Sequence, residues 1–279
     1  MRIVVRPLYL LHPSDELRER LAGIEGELFR LFRLADWRAL RLALHRSPAT
    51  AVSVVDPHDP ARPGQLAAEL RELLEELPSA TVLAALPLGA ADAEKLRTLL
   101  DWGVADVIAL GREDTPAALE RRIRLVQGRA VHRVLRRALP RGVPSRARAL
   151  LTTAAETVAA GGQAPELAAA LGVTERTVPR WCERADLPPP RRLLAWLRLL
   201  MAAELLDDPG RTVASIAQAC GYANEVSLKA ALRQFMGAPP TELRRRGAFE
   251  TAARAFAAEL FELREAARTR GKPEKTWLN

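Results

Sequence analysis

The sequence predicts an α/β domain with a five-stranded parallel sheet, followed by an all-helical domain. Short apolar segments alternate five times with amphipathic helical segments up to residue 127, whereas residues 146–246 have the pattern of helices joined by short turns. Charge divides in the same way, with a net of −2 for residues 1–127 and +10 for residues 128–279. We therefore expect any polyanion-binding surface to lie in the second half of the chain.

The first half is predicted to contain five strand–helix repeats. Ala51–Val55 is typical of the strands, because it is too short for a helix and rich in β-branched residues. Repeated units of this kind form a parallel sheet covered on both faces by helices, and five of them predict a flavodoxin-like domain. The predicted strands are residues 3–11, 28–34, 51–55, 81–86 and 106–110, and the predicted helices are 15–24, 37–46, 64–77, 91–102 and one starting at 115.

This first domain resembles the receiver domain of response regulators. Asp56 follows the third strand, where receivers keep their phosphoacceptor, and residues 102–108 resemble the stretch around the fifth receiver strand. Phosphotransfer to a carboxylate also needs acidic ligands for Mg²⁺, and the resemblance to receivers implies a hydroxyl and a lysine besides. Residues 11–15 lack the acidic pair, residues 84–89 lack the hydroxyl, and Leu110 replaces the lysine. We expect a receiver-like domain, residues 1–127, that senses or dimerises without phosphorylation; the alternative is a phosphorylation-activated response regulator that uses Asp56.

Other polar residues are expected near Asp56 at the carboxyl edge of the sheet. His12, His58 and Asp59 could form a small-molecule or metal site there, because ligands bind at this edge of open α/β sheets. Their spacing does not match a set of metal ligands, and we favour a solvated rim with no metal.

Composition excludes several classes of protein. The 279 residues are enough for two cores, and two cysteines cannot support a disulfide scaffold. No apolar run is long enough to span a membrane, and residues 1–11 lack the features of a secretion signal, so we expect a cytoplasmic protein. We find no nucleophile–base pair, glycine-rich phosphate loop or metal constellation, and we predict neither a cofactor nor an enzyme.

A basic helical linker is predicted for residues 128–147. The helical pattern that begins at 115 continues past residue 130 with many arginines, and Pro140 and Pro144 then end it. The linker is interpreted either as a solvated arginine face, as a dimer contact or as a basic connector to nucleic acid.

Two later segments have the layout of a helix-turn-helix, which is a short helix, a tight turn with glycine and a second helix with one free face. In the first unit, residues 166–171 precede a turn at 172–173, and Thr174 is predicted to cap a helix over 175–185. In the second, residues 213–220 precede a turn at 221–223, and Asn224 is predicted to cap a helix over 225–236. An apolar helix over 191–206 lies between them.

Residues 148–247 resemble the DNA-binding domain of AraC/XylS-type transcription regulators. The resemblance is carried by Ile216-Ala217, Gly221-Tyr222, Gly237, Pro240 and Leu243-Arg244 in the second unit, by Leu171-Gly172-Val173-Thr174 and Arg180 in the first, and by Arg198-Leu199, Ala202 and Leu205-Leu206 in the connecting helix. It implies a sequence-specific regulator with two recognition helices in successive major grooves. Pro179 departs from the family pattern, and we expect it to bend the first recognition helix.

The DNA-contacting candidates are polar residues on the two predicted recognition helices. Arginine can donate two hydrogen bonds to guanine, while hydroxyl groups reach phosphates or bases. The candidates are Thr174, Arg176, Thr177 and Arg180 in the first unit and Asn224, Glu225, Ser227, Lys229 and Arg233 in the second.

One further amphipathic helix is predicted over 249–268, before a polar tail at 269–279 that we expect to be mobile. The helix either packs on the core or dimerises. The partners that the sequence favours are double-stranded DNA, RNA polymerase and a second copy of the chain, the last held through the receiver-like domain or the linker helix.

Overall fold

The computed structural model describes residues 6–26, 29–62, 64–89 and 92–271. Within them it confirms the predicted fold class, an α/β domain with a parallel sheet followed by a helical region. The strands are β1 (Arg6–Leu11), β2 (Phe29–Arg33), β3 (Val52–Val55), β4 (Thr81–Pro87) and β5 (Asp106–Leu110). Residues 3–5 and 28 of the predicted strands lie outside the described residues.

The five strands form one parallel sheet in the order β2-β1-β3-β4-β5. This is the flavodoxin-like order, in which β2 lies on one side of β1 and the later strands β3, β4 and β5 follow on the other side. The central strands β3 and β4 are buried on both faces, which explains their continuous apolar sequences. We call residues 6–110, with this sheet and its first four helices, the sheet domain.

The helices of the sheet domain cover both faces of the sheet. They are α1 (Asp15–Ala22), α2 (Trp37–His45), α3 (Ala68–Glu76) and α4 (Ala93–Trp102). One apolar layer joins α1 to one face of the strands, and a second joins α2, α3 and α4 to the other. Helix α3 begins four residues later than predicted, because Leu66 pairs with His58 in an isolated β-bridge and the amide of Ala67 donates to the carbonyl of Pro57. Ala91 of the predicted fourth helix lies outside the described residues.

The helix α5 (Pro116–Ala138) belongs to both halves of the molecule. Leu119, Ile123 and Val126 pack against the sheet, whereas Val131 and Val134 pack in the helical region. The predicted linker segment therefore contributes side chains to the core of the second half. Its arginines are largely exposed, although Arg133 pairs with Glu204.

The rest of the chain is helical up to residue 271. Its helices are α6 (Ser145–Ala159), α7 (Ala164–Ala170), α8 (Val178–Arg184), α9 (Pro190–Leu206), α10 (Val213–Ala219), α11 (Glu225–Met236), α12 (Pro240–Arg246) and α13 (Ala248–Gly271). Helix α9 is the centre of this region, since thirteen of its residues are buried. None of the helices in the described part of the chain is both long and apolar enough to cross a bilayer.

Helix α13 packs against the helical core. Phe249, Phe256 and Leu260 are buried in it, and the carboxylate of Asp207 accepts hydrogen bonds from the first two amides of the helix at 2.7 and 3.0 Å. On α9, the indole of Trp196 donates to Glu259 of α13 at 2.7 Å. The helix includes residues 269–271 of the predicted tail, and residues 272–279 lie outside the described residues.

Candidate nucleic-acid interface

The second helix-turn-helix unit has the predicted boundaries at its recognition helix. Helix α10 is followed by a turn and then by α11, which begins at Glu225. The side-chain oxygen of Asn224 accepts from the amide of Ser227 at 2.9 Å, so Asn224 is the N-cap. Gly221 has a φ of 70°, a left-handed conformation that glycine adopts without steric cost, and it thereby permits the tight turn.

The first unit begins its recognition helix later than predicted. Gly172 has a φ of 66° in the turn, as Gly221 has in the second unit. However, residues 175–177 form a turn, and α8 runs only from Val178 to Arg184. The prediction that Thr174 caps a helix over 175–185 was wrong.

Pro179 accounts for the late start of α8. In a helix that began at Glu175, the ring of Pro179 would collide with the carbonyl of Glu175. Because proline has no N–H, that carbonyl would also lack its helical hydrogen bond. In the structure, Pro179 is the second residue of the helix, where no amide partner is required. The proline therefore sets the start of α8 instead of bending it.

The candidate residues of the first unit lie at the surface. Thr174, Arg176 and Arg180 are exposed, and Thr177 is half-buried. The hydroxyl groups of Thr174 and Thr177 are 3.0 Å apart. Neither arginine side chain has a hydrogen bond or an ion pair to any residue that the structure describes, so both guanidinium groups have their donors available.

The candidates of the second unit are more constrained. The side-chain oxygen of Asn224 already accepts the capping hydrogen bond, and the Ser227 hydroxyl donates to the same oxygen at 3.2 Å. Lys229 forms an ion pair with Glu225 at 3.0 Å. Arg233 is exposed and has no such partner among the described residues. Glu225, Ser227 and Lys229 are half-buried, so none of the nine candidates is in the core.

Sequence reasoning missed Val226 on the recognition helix of the second unit. Its side chain is 67% exposed. Leu228 and Leu232 form the buried face of α11, and Val226 lies two residues from Leu228, about 200° around the helix. An exposed apolar side chain at this place can contact the methyl group of thymine. The helical rotation relative to the two leucines was the signal that could have identified it.

The carboxyl edge of the sheet forms a second polar site. Asp56 Oδ1 accepts from the backbone amide of His58 at 3.0 Å and lies 2.9 Å from His58 Nδ1. His12 lines the same cavity of about 710 Å³, and burial lowers the pKa of its imidazole despite the nearby Asp56 carboxylate. Asp59 instead accepts from the amide of Ala61 at 2.8 Å. Among the described residues no group of three or more His, Cys, Asp or Glu side chains is arranged to hold a metal.

Comparison with known proteins gives one family and one structure. Residues 167–246 match the model of a helix-turn-helix domain, which agrees with the AraC-type resemblance of this segment. Full-length FixJ from B. japonicum is 16% identical, and the match covers 77% of this chain and 97% of FixJ with a TM-score of 0.32. No curated protein matches the chain.

Proposed function

We propose that this protein binds specific sequences of double-stranded DNA through α8 and α11 and regulates transcription. The observation that carries the proposal is the pair of helix-turn-helix units with exposed arginines, Arg176 and Arg180 in the first and Arg233 in the second, whose side chains have no ion pair or hydrogen bond among the described residues. In the proposal, these side chains contact guanines or phosphates, while Asn224 positions the start of α11. The nine candidates and Val226 form its DNA-contacting set, RNA polymerase and a second copy of the chain are further partners, and no catalytic step is involved.

We further propose that the sheet domain works without phosphorylation. Asp56 is held by the His58 amide and imidazole, and the segment after β1 contains His12 where a receiver would need acidic ligands for Mg²⁺. Incubation with acetyl phosphate and Mg²⁺ is expected to leave the intact mass of the protein unchanged. A phosphoryl adduct that Asp56→Ala abolishes would establish the alternative, activation through Asp56.

DNA binding is tested by selecting duplexes from a randomised pool and measuring their affinity by fluorescence anisotropy. Affinity should fall steeply with salt, because basic side chains displace counterions from phosphates. Arg180→Ala should weaken binding to the selected duplex about 5- to 150-fold, since a good base contact is worth about 1–3 kcal/mol. Lys229→Ala should reduce the salt slope by about one, as expected for a phosphate contact.

Arg97→Ala is the matched control, because Arg97 is an exposed arginine on α4 of the sheet domain. It should leave both the affinity and the salt slope unchanged. Equal losses of DNA affinity in Arg97→Ala and Arg180→Ala would contradict specific recognition by α8. So would a randomised pool from which no preferred sequence emerges.

A further inference from the structure

A cavity of about 360 Å³ lies where the sheet domain meets the helical region. Its wall combines the start of β1, the segment between α2 and β3, the middle of α5, the end of α6, one face of α9 and the turn after α10. Much of this wall is apolar, including Ala49, Val131, Val134, Val158, Met201 and Ala219. A cavity of this size and lining is suited to a small organic molecule, and such sites are common between domains.

Three arginines line the same cavity, Arg6 on β1, Arg46 after α2 and Arg198 on α9. The side chains of all three lack a hydrogen bond or an ion pair with any residue in the described ranges. Burial lowers the pKa of Arg6, although the carboxylate of Glu156 opposes this effect. The cavity therefore contains an excess of positive charge that a bound anion would neutralise.

A buried hydroxyl group without a partner marks the same place. Thr50 is 3% exposed and lines the cavity, yet its Oγ1 forms no hydrogen bond within the described part of the chain. An unsatisfied buried polar group costs about 1–3 kcal/mol, so native proteins rarely retain one without a reason. Because Oγ1 itself has almost no accessible surface, the side chain would have to rotate towards the cavity for a ligand oxygen to become its partner.

We propose that this cavity is a binding site for a small apolar carboxylate, such as an aromatic or medium-chain acid. The apolar wall surrounds the hydrocarbon part of the ligand, and the guanidinium groups bind its carboxylate through charge-assisted hydrogen bonds. After rotation of its side chain towards the cavity, the Thr50 hydroxyl donates to one carboxylate oxygen. This site is separate from the Asp56 cavity, with which it shares no lining residue.

The position of the cavity connects it to the second helix-turn-helix unit. Gln218, Cys220 and Gly221, at the end and turn of α10, line the wall that faces Arg6 and Thr50 of the sheet domain. Burial raises the pKa of the Cys220 thiol to about 12, so this part of the wall carries no anion that would repel a carboxylate. A bound acid therefore contacts both the sheet domain and the second unit, and its effect on DNA affinity rests on the proposed function.

Isothermal titration calorimetry of the full chain tests the site without DNA. The probes are benzoate, 2-naphthoate and decanoate, and 2-naphthamide is the neutral counterpart of the second. We expect at least one acid to bind saturably with one molecule per chain, and 2-naphthoate to bind at least about tenfold more tightly than 2-naphthamide. Absence of saturable binding for all three acids, or equal affinities of acid and amide, would overturn the proposal.

Point variants test whether the acid binds in this cavity. Arg198→Gln and Thr50→Val should each weaken binding of the best acid, about tenfold or more for Arg198→Gln. Arg191→Gln, which changes an exposed arginine on the same helix outside the cavity, should have no effect. Thr50→Val keeps the shape of the side chain and removes the unpaired hydroxyl, so without ligand it should unfold at the same or a higher temperature than the wild type. Equal loss of binding in Arg191→Gln would contradict the proposed site.

A final experiment distinguishes failure of the ligand site from failure of the proposed DNA-binding function. The anisotropy titration with the selected duplex is repeated at a saturating concentration of the best acid, and we expect the DNA affinity to change, because the ligand touches the turn of the second unit. Calorimetric binding with no DNA binding at all would refute the proposed function and leave the ligand site established. DNA binding by a protein that shows no calorimetric binding of any of the acids would refute the ligand site and leave the proposed function intact.

Discussion

The two helix-turn-helix units share a plan but differ in how they are held. Helix α11 of the second unit has twelve residues and a side-chain cap from Asn224, whereas α8 of the first has seven residues and no side-chain cap. The second unit is also joined to the sheet domain, through the segment 208–211 that precedes α10. Within the described ranges, no hydrogen bond or ion pair joins residues 164–184 to the sheet domain. The difference indicates that the sheet domain sets the position of the second unit more directly than that of the first.

The connection to the second unit is a buried ion pair. Asp208 and Arg211 are each 2% exposed, and their side chains meet at 3.0 Å. Arg211 donates to the carbonyls of His45 and Ser47 at 2.9 Å, and Asp208 accepts from the amide and hydroxyl of Ser79. Both partners therefore satisfy polar groups at the ends of sheet-domain elements, which explains why two charges are tolerated there.

Breaking this pair is expected to have the largest effect. Asp208→Ala leaves Arg211 buried without a counter-charge, and we expect the free energy of unfolding to fall by about 3–5 kcal/mol in urea titrations. The control is Glu242→Ala, which removes a surface i,i+4 pair between the half-buried Glu242 and the exposed Arg246 and should cost at most about 1 kcal/mol. Similar losses in the two variants would show that the connection contributes no more than a surface pair.

The caps of the two recognition helices provide the next test. Asn224→Ala removes the bond to the Ser227 amide and should destabilise the protein by about 0.5–2 kcal/mol. Thr177→Ala occupies the corresponding place before α8, where no amide is capped by a side chain, and should cost less than Asn224→Ala. Thermal and urea unfolding of both variants measure the difference, and an equal or larger loss for Thr177→Ala would remove this distinction between the units.

A smaller effect is expected at Pro179. Because the proline is at the second position of α8, its replacement restores no missing helical bond and only increases the freedom of the unfolded chain. Pro179→Ala should therefore lower the free energy of unfolding by about 0.4–1 kcal/mol. Stabilisation approaching about 3 kcal/mol, the cost of proline inside a helix, would show that α8 extends further towards the N-terminus than the structure indicates.

The last test concerns Glu204 on α9, the helix that joins the two units, and its effect depends on pH. Its Oε1 accepts from Arg133 at 3.1 Å and lies 3.5 Å from Arg137, while Oε2 has no partner among the described residues. Burial raises the pKa of Glu204 above its usual 4.5, an effect that nearby Asp208 reinforces and the two arginines only partly offset.

The sign of the pH dependence follows from this raised pKa. Between pH 4.5 and the folded-state pKa, the folded protein holds a proton that the unfolded chain has released, so the contribution of Glu204 to stability declines as pH rises. In urea titrations at several pH values, the stability of the wild type minus that of Glu204→Gln should fall from about pH 4 to pH 7, by no more than about 1.4 kcal/mol per pH unit. A stability difference that is constant or increases with pH would contradict a raised pKa of Glu204.

Much of the fold could be predicted from the sequence, because its elements have strong periodic patterns. The continuous apolar runs of β3 and β4 and the apolar face of α9 identify buried elements directly. The start of α8 was missed because a cap residue, Thr174, and the proline at 179 gave opposite signals, and the steric constraint of the proline prevailed. The start of α3 was missed because a pairing between His58 and Leu66 is invisible to helical periodicity.

The candidate sites were predictable in type but not in their contacts. Residue types alone point to Arg180 and Arg233 as basic groups on the recognition helices, but they do not reveal that Lys229 is paired with Glu225. The cavity between the domains could not be predicted, because Arg6, Thr50 and Arg198 are brought together only by the packing of distant segments.

The continuity of α5 has a consequence for dissecting this molecule. Its 23 residues extend about 35 Å, and no break separates the turns that cover the sheet from those that cover α6 and α9. A fragment ending at residue 127 would keep Ile123 and Val126, whereas Val131 and Leu135 would stay in the other piece, so the cut would divide one continuous helix between the two. Chimaeras that exchange the N-terminal half should therefore keep α5 up to Val126 with the sheet domain and α5 from Val131 with the helical region, joined as one unbroken helix.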